Sequence, residues 1–448
     1  MRFAVNFYRL LAPRLLIFQL AALATSLGLF LLFGPPEAQT STLPITPLPS
    51  LEEVTVSAGS APPALQALRE GLLSATQRPS ALSFKSLEQR GDTLWGSLGN
   101  GWRGRLTLNP ELQQIATHEL GRSHSAAAAF VAIDIQSGRL LSLAEHFNSA
   151  HVVSRTLKLR EGVHMALRSL APGSVNARLV ASAALLDEGH SPRRRTCYQS
   201  FVRTPQAQHL SGQNHNECRT LSEAFAESSK GYFTRQSNLA LSGNRFAQML
   251  RQSGFNKPFF FFALPYEPSS ARVPLSPLGR ARAVSGTHSS RMSVLHAALL
   301  ATAVAGEGRL PQPRLVDQLI HEQGRAVQAP SNEEWATGFS PESSAALRNM
   351  FRASTREGRV KKLLRDNWPN RLRHQRVAGQ IGIETHYQPF YRYSWFIGFY
   401  PERNPRVAVA SMVLNGERWY ARALDVTSRI LSRHFTQNES AASAGAGR

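Results

Sequence analysis

Lysine is scarce in this chain. Of 51 basic residues only six are lysine, at Lys85, Lys158, Lys230, Lys257, Lys361 and Lys362, and arginine supplies the rest. Chemistry that needs an amine as proton acceptor has only those six positions to draw on, because a guanidinium does not deprotonate in proteins. Acidic residues are also few, 30 in all, which leaves a formal net charge of +21. That balance suits nucleic acid, anionic headgroups or an acidic wall polymer, or else a solvated surface in an arginine-biased proteome. No lysine-rich block, zinc-finger spacing or RNA-binding signature is present, so nucleic acid is not expected as a partner. Cysteine is limited to Cys197 and Cys218.

What is present begins with an apolar run. Arg2, Arg9 and Arg14 precede LLIFQLAALATSLGLFLLFG at 15–34, which carries no charge. A helix of about 20 such residues spans a bilayer of about 30 Å. Its basic flank predicts a cytoplasmic stub at 1–14, a single inner-membrane span at 15–34 and a periplasmic remainder. A cleaved signal peptide is the alternative; the run exceeds the roughly 7–15 residues of a signal core, and no clean A-x-A site follows. In that oxidising space a Cys197–Cys218 disulfide is the leading expectation. A zinc site with His209 and His215 is the alternative, although the spacing fits no common pattern. No metal or cofactor is expected.

Residues 35–63 are rich in Pro, Ser and Thr and read as a linker. Residues 64–103 read as a short extension, a helix followed by loose structure, and 437–448 as a disordered small-residue tail. Between them, 104–436 reads as one mixed domain. AAAAFVAIDIQSGRLLSLAEH predicts a hairpin turning at Gln136–Gly138. Helices are predicted over 175–188, 221–230, 239–252 and RMSVLHAALLATAVAGEG. A second hairpin turns between Pro401 and Pro405, and an amphipathic helix follows from Arg418. KPFFFF at 257–262 reads as a buried strand or an aromatic patch for a partner. Strands at both ends with helices between predict an α+β fold.

One stretch carries possible chemistry. APGSVNARLVASAALLDEG places Ser174 at the start of a helix. Together with LSEAFAESSKGYF, and with VAGQIGIE followed by YSWFIGFYPERNPRVAVA, it resembles the transpeptidase domain of penicillin-binding proteins over roughly 104–435. These are serine acyltransferases that cross-link peptidoglycan. The resemblance implies a β-lactamase/transpeptidase-like fold: an antiparallel sheet flanked by helices, plus an all-helical subdomain.

Such enzymes carry S-x-x-K, S-x-N and K-T-G motifs. At i and i+3 on one helical face, the lysine can take the serine proton. Here that position is Ala177, and Arg178 at i+4 cannot serve as a base. No lysine stands three residues after a serine anywhere in the chain. The second motif falls on Ser228-Ser229-Lys230, with lysine in place of asparagine. The third falls on Gly379-Gln380-Ile381-Gly382-Ile383, with Gln380 in place of lysine and an apolar residue expected to crowd the cleft. Gly382 alone survives. The backbone N–H groups of Ser174 and Ile383 remain as oxyanion donors by the resemblance. The histidines, Ser154 and Ser228 offer no Ser-His-Asp ordering.

The expectation is a membrane-anchored pseudo-transpeptidase, a scaffold or regulator in cell-wall synthesis that meets peptidoglycan stem peptides and other wall-synthesis membrane proteins. The alternative is a residually active transpeptidase or carboxypeptidase, acylated by penicillin at Ser174 with Lys230 as base. A third reading is a sensor that binds muropeptides or β-lactams without acylation.

Overall fold

The structure, a computed structural model, describes residue 82 and residues 84–445, apart from 100, 160–164, 212, 260–263, 265, 323–325, 329–332 and 365–376. All of these belong to one unit that begins at Pro62. The predicted stub, span and linker at 1–63 lie outside the described residues. Among the described residues no helix is long and apolar enough to cross a membrane.

A five-stranded antiparallel sheet forms the frame. In chain order its strands are β4 (Ala127–Asp134), β5 (Leu140–Phe147), β10 (Ala378–Tyr387), β11 (Phe390–Tyr400) and β12 (Val407–Asn415). They lie side by side as β10-β11-β12-β4-β5. Chain ends thus meet in one sheet through the β12–β4 ladder, which runs from Val407 opposite Asp134 to Leu414 opposite Ala127. Strand β4 is nearly continuous in small and apolar residues because both of its faces are covered. Helix α6 (Val294–Ala305), buried along its whole length, packs on β4, β11 and β12 from one side. Helices α1 (Pro110–Gly121) and α8 (Ala423–Gly445) cover the other side, where Phe130, Val413 and Phe396 join Leu112, Leu424 and Leu431. Asn109 caps α1 by accepting from the Leu112 N–H, and Pro110 opens the helix.

Of the other helices, α2 (Val175–Asp187) and α7 (Pro341–Arg356) pack on β10; α3 (Leu221–Ala226) packs on α7, α5 (Gly243–Gln252) packs on α2, and α4 (Lys230–Leu239) follows α3. The helix predicted over 221–230 is in fact two. Its break at 227–229 contains Ser228 at φ +57°, and Ser229 caps α4. Helix α5 begins four residues later than predicted, where Ser242 caps its first turn by accepting from the Arg245 N–H.

Three further expectations change. Residues 88–106 are not loose: β1 (Glu88–Arg90), β2 (Thr93–Ser97) and β3 (Trp102–Leu106) pair as hairpins. Strand β3 then pairs with β8 (Val316–His321), which pairs with β9 (Ala326–Gln328). The extension read as loose structure is completed by strands more than 200 residues away. Helix α8 runs to Gly445, into the stretch expected to be disordered, because its Ala- and Ser-containing end has no helix breaker before Gly445. At KPFFFF no strand forms among the described residues; Phe259 stacks on Tyr266 and meets Trp335 edge-on, while 260–263 lie outside them.

Candidate functional site

The Pro-Gly turn delivers Ser174 to the N-cap of α2, as the sequence predicts, but in a constrained form. Its backbone sits at φ +47°, and its side chain caps nothing. Such a conformation costs an L-residue about 1–3 kcal/mol. The residue is fully buried, and its hydroxyl has no hydrogen-bond partner among the described residues.

Two glycines enclose it. A Cβ on Gly286 would lie 2.0 Å from the Ser174 carbonyl oxygen, and one on Gly382 would lie 2.5 Å from Ser174 Oγ. Gly286, at φ +80°, also accepts the Ser174 N–H at 3.1 Å. One of the two expected oxyanion donors is therefore already engaged.

Ala177 is buried on α2, one turn past Ser174, and its methyl offers no proton acceptor. The cation in this neighbourhood is Arg178, whose guanidinium donates to the Ser285 carbonyl at 2.6 Å and to Ser228 Oγ at 2.8 Å. Ser228 Oγ in turn donates to the Ile381 carbonyl at 2.9 Å. Helix α2, the α3–α4 break and strand β10 are thus tied by one chain of hydrogen bonds. Burial draws Arg178 down to about 10, which still leaves it charged at neutral pH and of no use as a base.

Lys230 opens α4, and no hydrogen bond joins its ammonium to Ser174 among the described residues. It donates to Glu384 Oε2 at 2.8 Å and to the Arg203 carbonyl at 3.1 Å. Lys230 is 15% exposed and Glu384 6%, so this is a largely buried ion pair. Burial pulls the ammonium below the ordinary lysine range, while Glu384 acts in the opposite direction.

On β10, side chains alternate between the two faces of the sheet. Gln380, Gly382 and Glu384 face the helices. Gln380 is fully buried; its amide donates to the Phe225 carbonyl, and its oxygen accepts from Ser354 Oγ at 3.1 Å and from the Ile381 N–H at 2.8 Å. Ile381 points to the other face and packs with Val360 and Phe396 in the core beneath α1 and α8. Strand alternation thus puts the Ile381 side chain in that core, while Ile381 and Ile383 both line the cleft, where an apolar residue was expected. Ile383 follows it, half-buried.

A cleft of about 1190 Å³ opens along β10, bordered by the 287–291 segment and by 198–204, and Ser174 lies beneath its wall. Sequence reading did not single out Gly286, Ser285 or Glu384. The only signal for Gly286 was a turn-forming Ser-Gly pair, and nothing in it points to Ser174. Cys197 and Cys218 are joined as a disulfide across the ladder of β6 (Arg195–Tyr198) and β7 (Glu217–Thr220). No thiolate remains for zinc, and His209 Nδ1 accepts the Gln206 N–H.

This geometry has relatives. Peptidoglycan D,D-transpeptidase PbpA of Mycolicibacterium smegmatis is 22% identical over 338 residues, 69% of this chain and 67% of that protein. Among solved structures, the imipenem acyl-enzyme complex of penicillin-binding protein A from M. tuberculosis superposes with TM-score 0.60 at 18% identity, covering 74% of this chain and 79% of that one. The D,D-transpeptidase domain of a peptidoglycan glycosyltransferase from Eggerthella lenta gives 0.59 at 22%, covering 74% and 82%. At these identities the superpositions speak to the fold. The model of the penicillin binding protein transpeptidase domain matches residues 128–434, more than two thirds of the sequence, and the chain belongs to that family.

Proposed function

We propose that this protein is a transpeptidase-fold pseudoenzyme, held at the inner membrane by its apolar run at 15–34, that serves peptidoglycan synthesis as a scaffold or regulator. The observation that carries the reading is the state of Ser174. Its hydroxyl is buried without a partner among the described residues, its N–H is engaged by Gly286, and both Arg178 and Lys230 are bonded to other groups. Loss of general-base help costs about 10²–10⁴-fold in rate. Loss of one oxyanion donor costs about 10²–10³-fold more. Stem peptides of peptidoglycan are the substrates that the family membership implies, and here they would meet a cleft without a nucleophile on its surface.

One observation favours the second reading, acylation with Lys230 as base: burial lowers the lysine's pKa, as an amine base requires. The Glu384 ion pair opposes it. Fluorescent penicillin separates the two. The full chain, incubated with high probe concentrations, is expected to show no covalent label in a denaturing gel. Label on the wild type that disappears in both Ser174→Ala and Lys230→Ala would replace the pseudoenzyme reading with a working dyad.

A further inference from the structure

The cleft holds more positive charge than its own acids neutralise. The three carboxylates lining it are each paired already: Glu217 with Arg219, Glu227 with Lys362, and Glu384 with Lys230. Arg203, Arg291, Arg359 and Arg392 also line it, and none of them has a carboxylate partner among the described residues. The first three are exposed. Beneath them lies the buried Arg178, whose partners are both neutral.

The same cleft has an open strand edge. Among the described residues, strand β10 is the terminal strand of its sheet and pairs only with β11. Residues with outward N–H and C=O groups alternate along an antiparallel edge. Gly379 and Ile381 are of this kind, and their groups are occupied by Thr355, Gln380 and Ser228. The alternation continues at Ile383 and Thr385, where the outward groups have no partner among the described residues. An unpaired edge is a template for an added strand. Phe201, 97% exposed, and Tyr387, 59% exposed, line the cleft as apolar contacts.

We infer that an acidic, extended segment of a partner protein docks in this cleft, adding a strand to β10 at Ile383–Thr385 and placing its carboxylates against Arg203, Arg291 and Arg359. The inference rests on the cleft being non-catalytic, since a partner segment seated there would exclude substrate. Charge complementarity selects the acidic partner, and the free ladder groups select an extended backbone. The volume exceeds the roughly 300–1,000 Å³ usual for a small-molecule pocket.

The test is fluorescence anisotropy of the full chain with a labelled octapeptide of alternating Glu and Val. A Lys/Val peptide and a Glu/Val peptide N-methylated at alternate amides serve as probes of charge and of strand pairing. The expected result is saturable binding of the first peptide alone. Affinity should fall at least about tenfold in Arg203→Glu/Arg359→Glu, whose exposed positions leave folding undisturbed, and again at high salt, where charges several ångströms apart are screened. Binding that survives N-methylation, or that is equal for the Lys/Val peptide, overturns the inference. So does no binding of the Glu/Val peptide, or binding only of a free peptidoglycan stem peptide. Penicillin labelling at Ser174 tests the pseudoenzyme reading independently, so failure of either experiment points to one claim and not the other.

Discussion

The central sheet and the cleft beside it are built from the same strand, β10, yet they differ in how well their parts are satisfied. On the sheet side every residue from Ala378 to Tyr387 is in register with β11, and Ile381 is enclosed in an apolar core. On the helix side, Ser174 and Asn176 are buried with polar side-chain atoms lacking partners among the described residues, as is Glu384 Oε1, and both Ser174 and Ser228 have positive φ. Buried polar atoms without partners cost about 1–3 kcal/mol each. Strain of this kind normally accompanies catalysis. Here it persists in a cleft whose proposed role is not catalytic, so strain marks where a site is built without showing that the site works.

Three measurements test that contrast. The largest effect belongs to the sheet: Phe130→Ala in β4, fully buried, should cost about 4 kcal/mol in urea unfolding. A much smaller loss would mean that the sheet side is less tightly packed than described.

The next concerns His296 in α6, which is fully buried with Nε2 donating to the Ser253 carbonyl at 2.7 Å and its pKa drawn down to about 4 by burial. Above pH 6.5 both folded and unfolded forms are neutral. Between 6.5 and about 4 the unfolded chain takes up the proton and the folded one does not, so stability falls with falling pH by about 3 kcal/mol and levels off below 4. His296→Gln should flatten that part of the pH profile; an unchanged profile would assign it to other groups.

The smallest effect has the opposite sign and lies in the cleft. Ser174→Gly removes both the unsatisfied hydroxyl and the left-handed strain, and after glycine's own entropy cost should stabilise the protein by about 1 kcal/mol. Thermal and urea melts of the variant check this, and a destabilised variant would show that Ser174 has a packing role.

How much of this was legible in the sequence follows from the range of each interaction. Strand-like runs flanking turn residues marked the β4–β5 and β11–β12 hairpins, whose partners are neighbours in the chain. The substitutions at Ala177, Lys230 and Gln380 could be read directly as letters. Strand β3 could not be placed, because its partner β8 comes more than 200 residues later. Nor could the tie from Arg178 through Ser228 to Ile381, which joins three segments far apart in sequence. Arg178 could be dismissed as a base from its chemistry alone, but not assigned as the clasp of the cleft. The break at 227–229 escaped because nothing in ESS forbids a helix, and Ser228's positive φ is set by its tertiary bonds.

The Gly286 turn bears on any attempt to restore the three motifs in this scaffold. Restoring lysine at 177 and 380 and asparagine at 230 would repair the lettering of the three motifs and still leave the nucleophile walled in. An acyl donor must reach the hydroxyl and rest its oxygen on the Ser174 N–H, yet the hydroxyl is fully buried and that N–H already donates to the Gly286 carbonyl. Under the proposed reading, activating the cleft is therefore a problem of moving a loop before it is a problem of choosing residues.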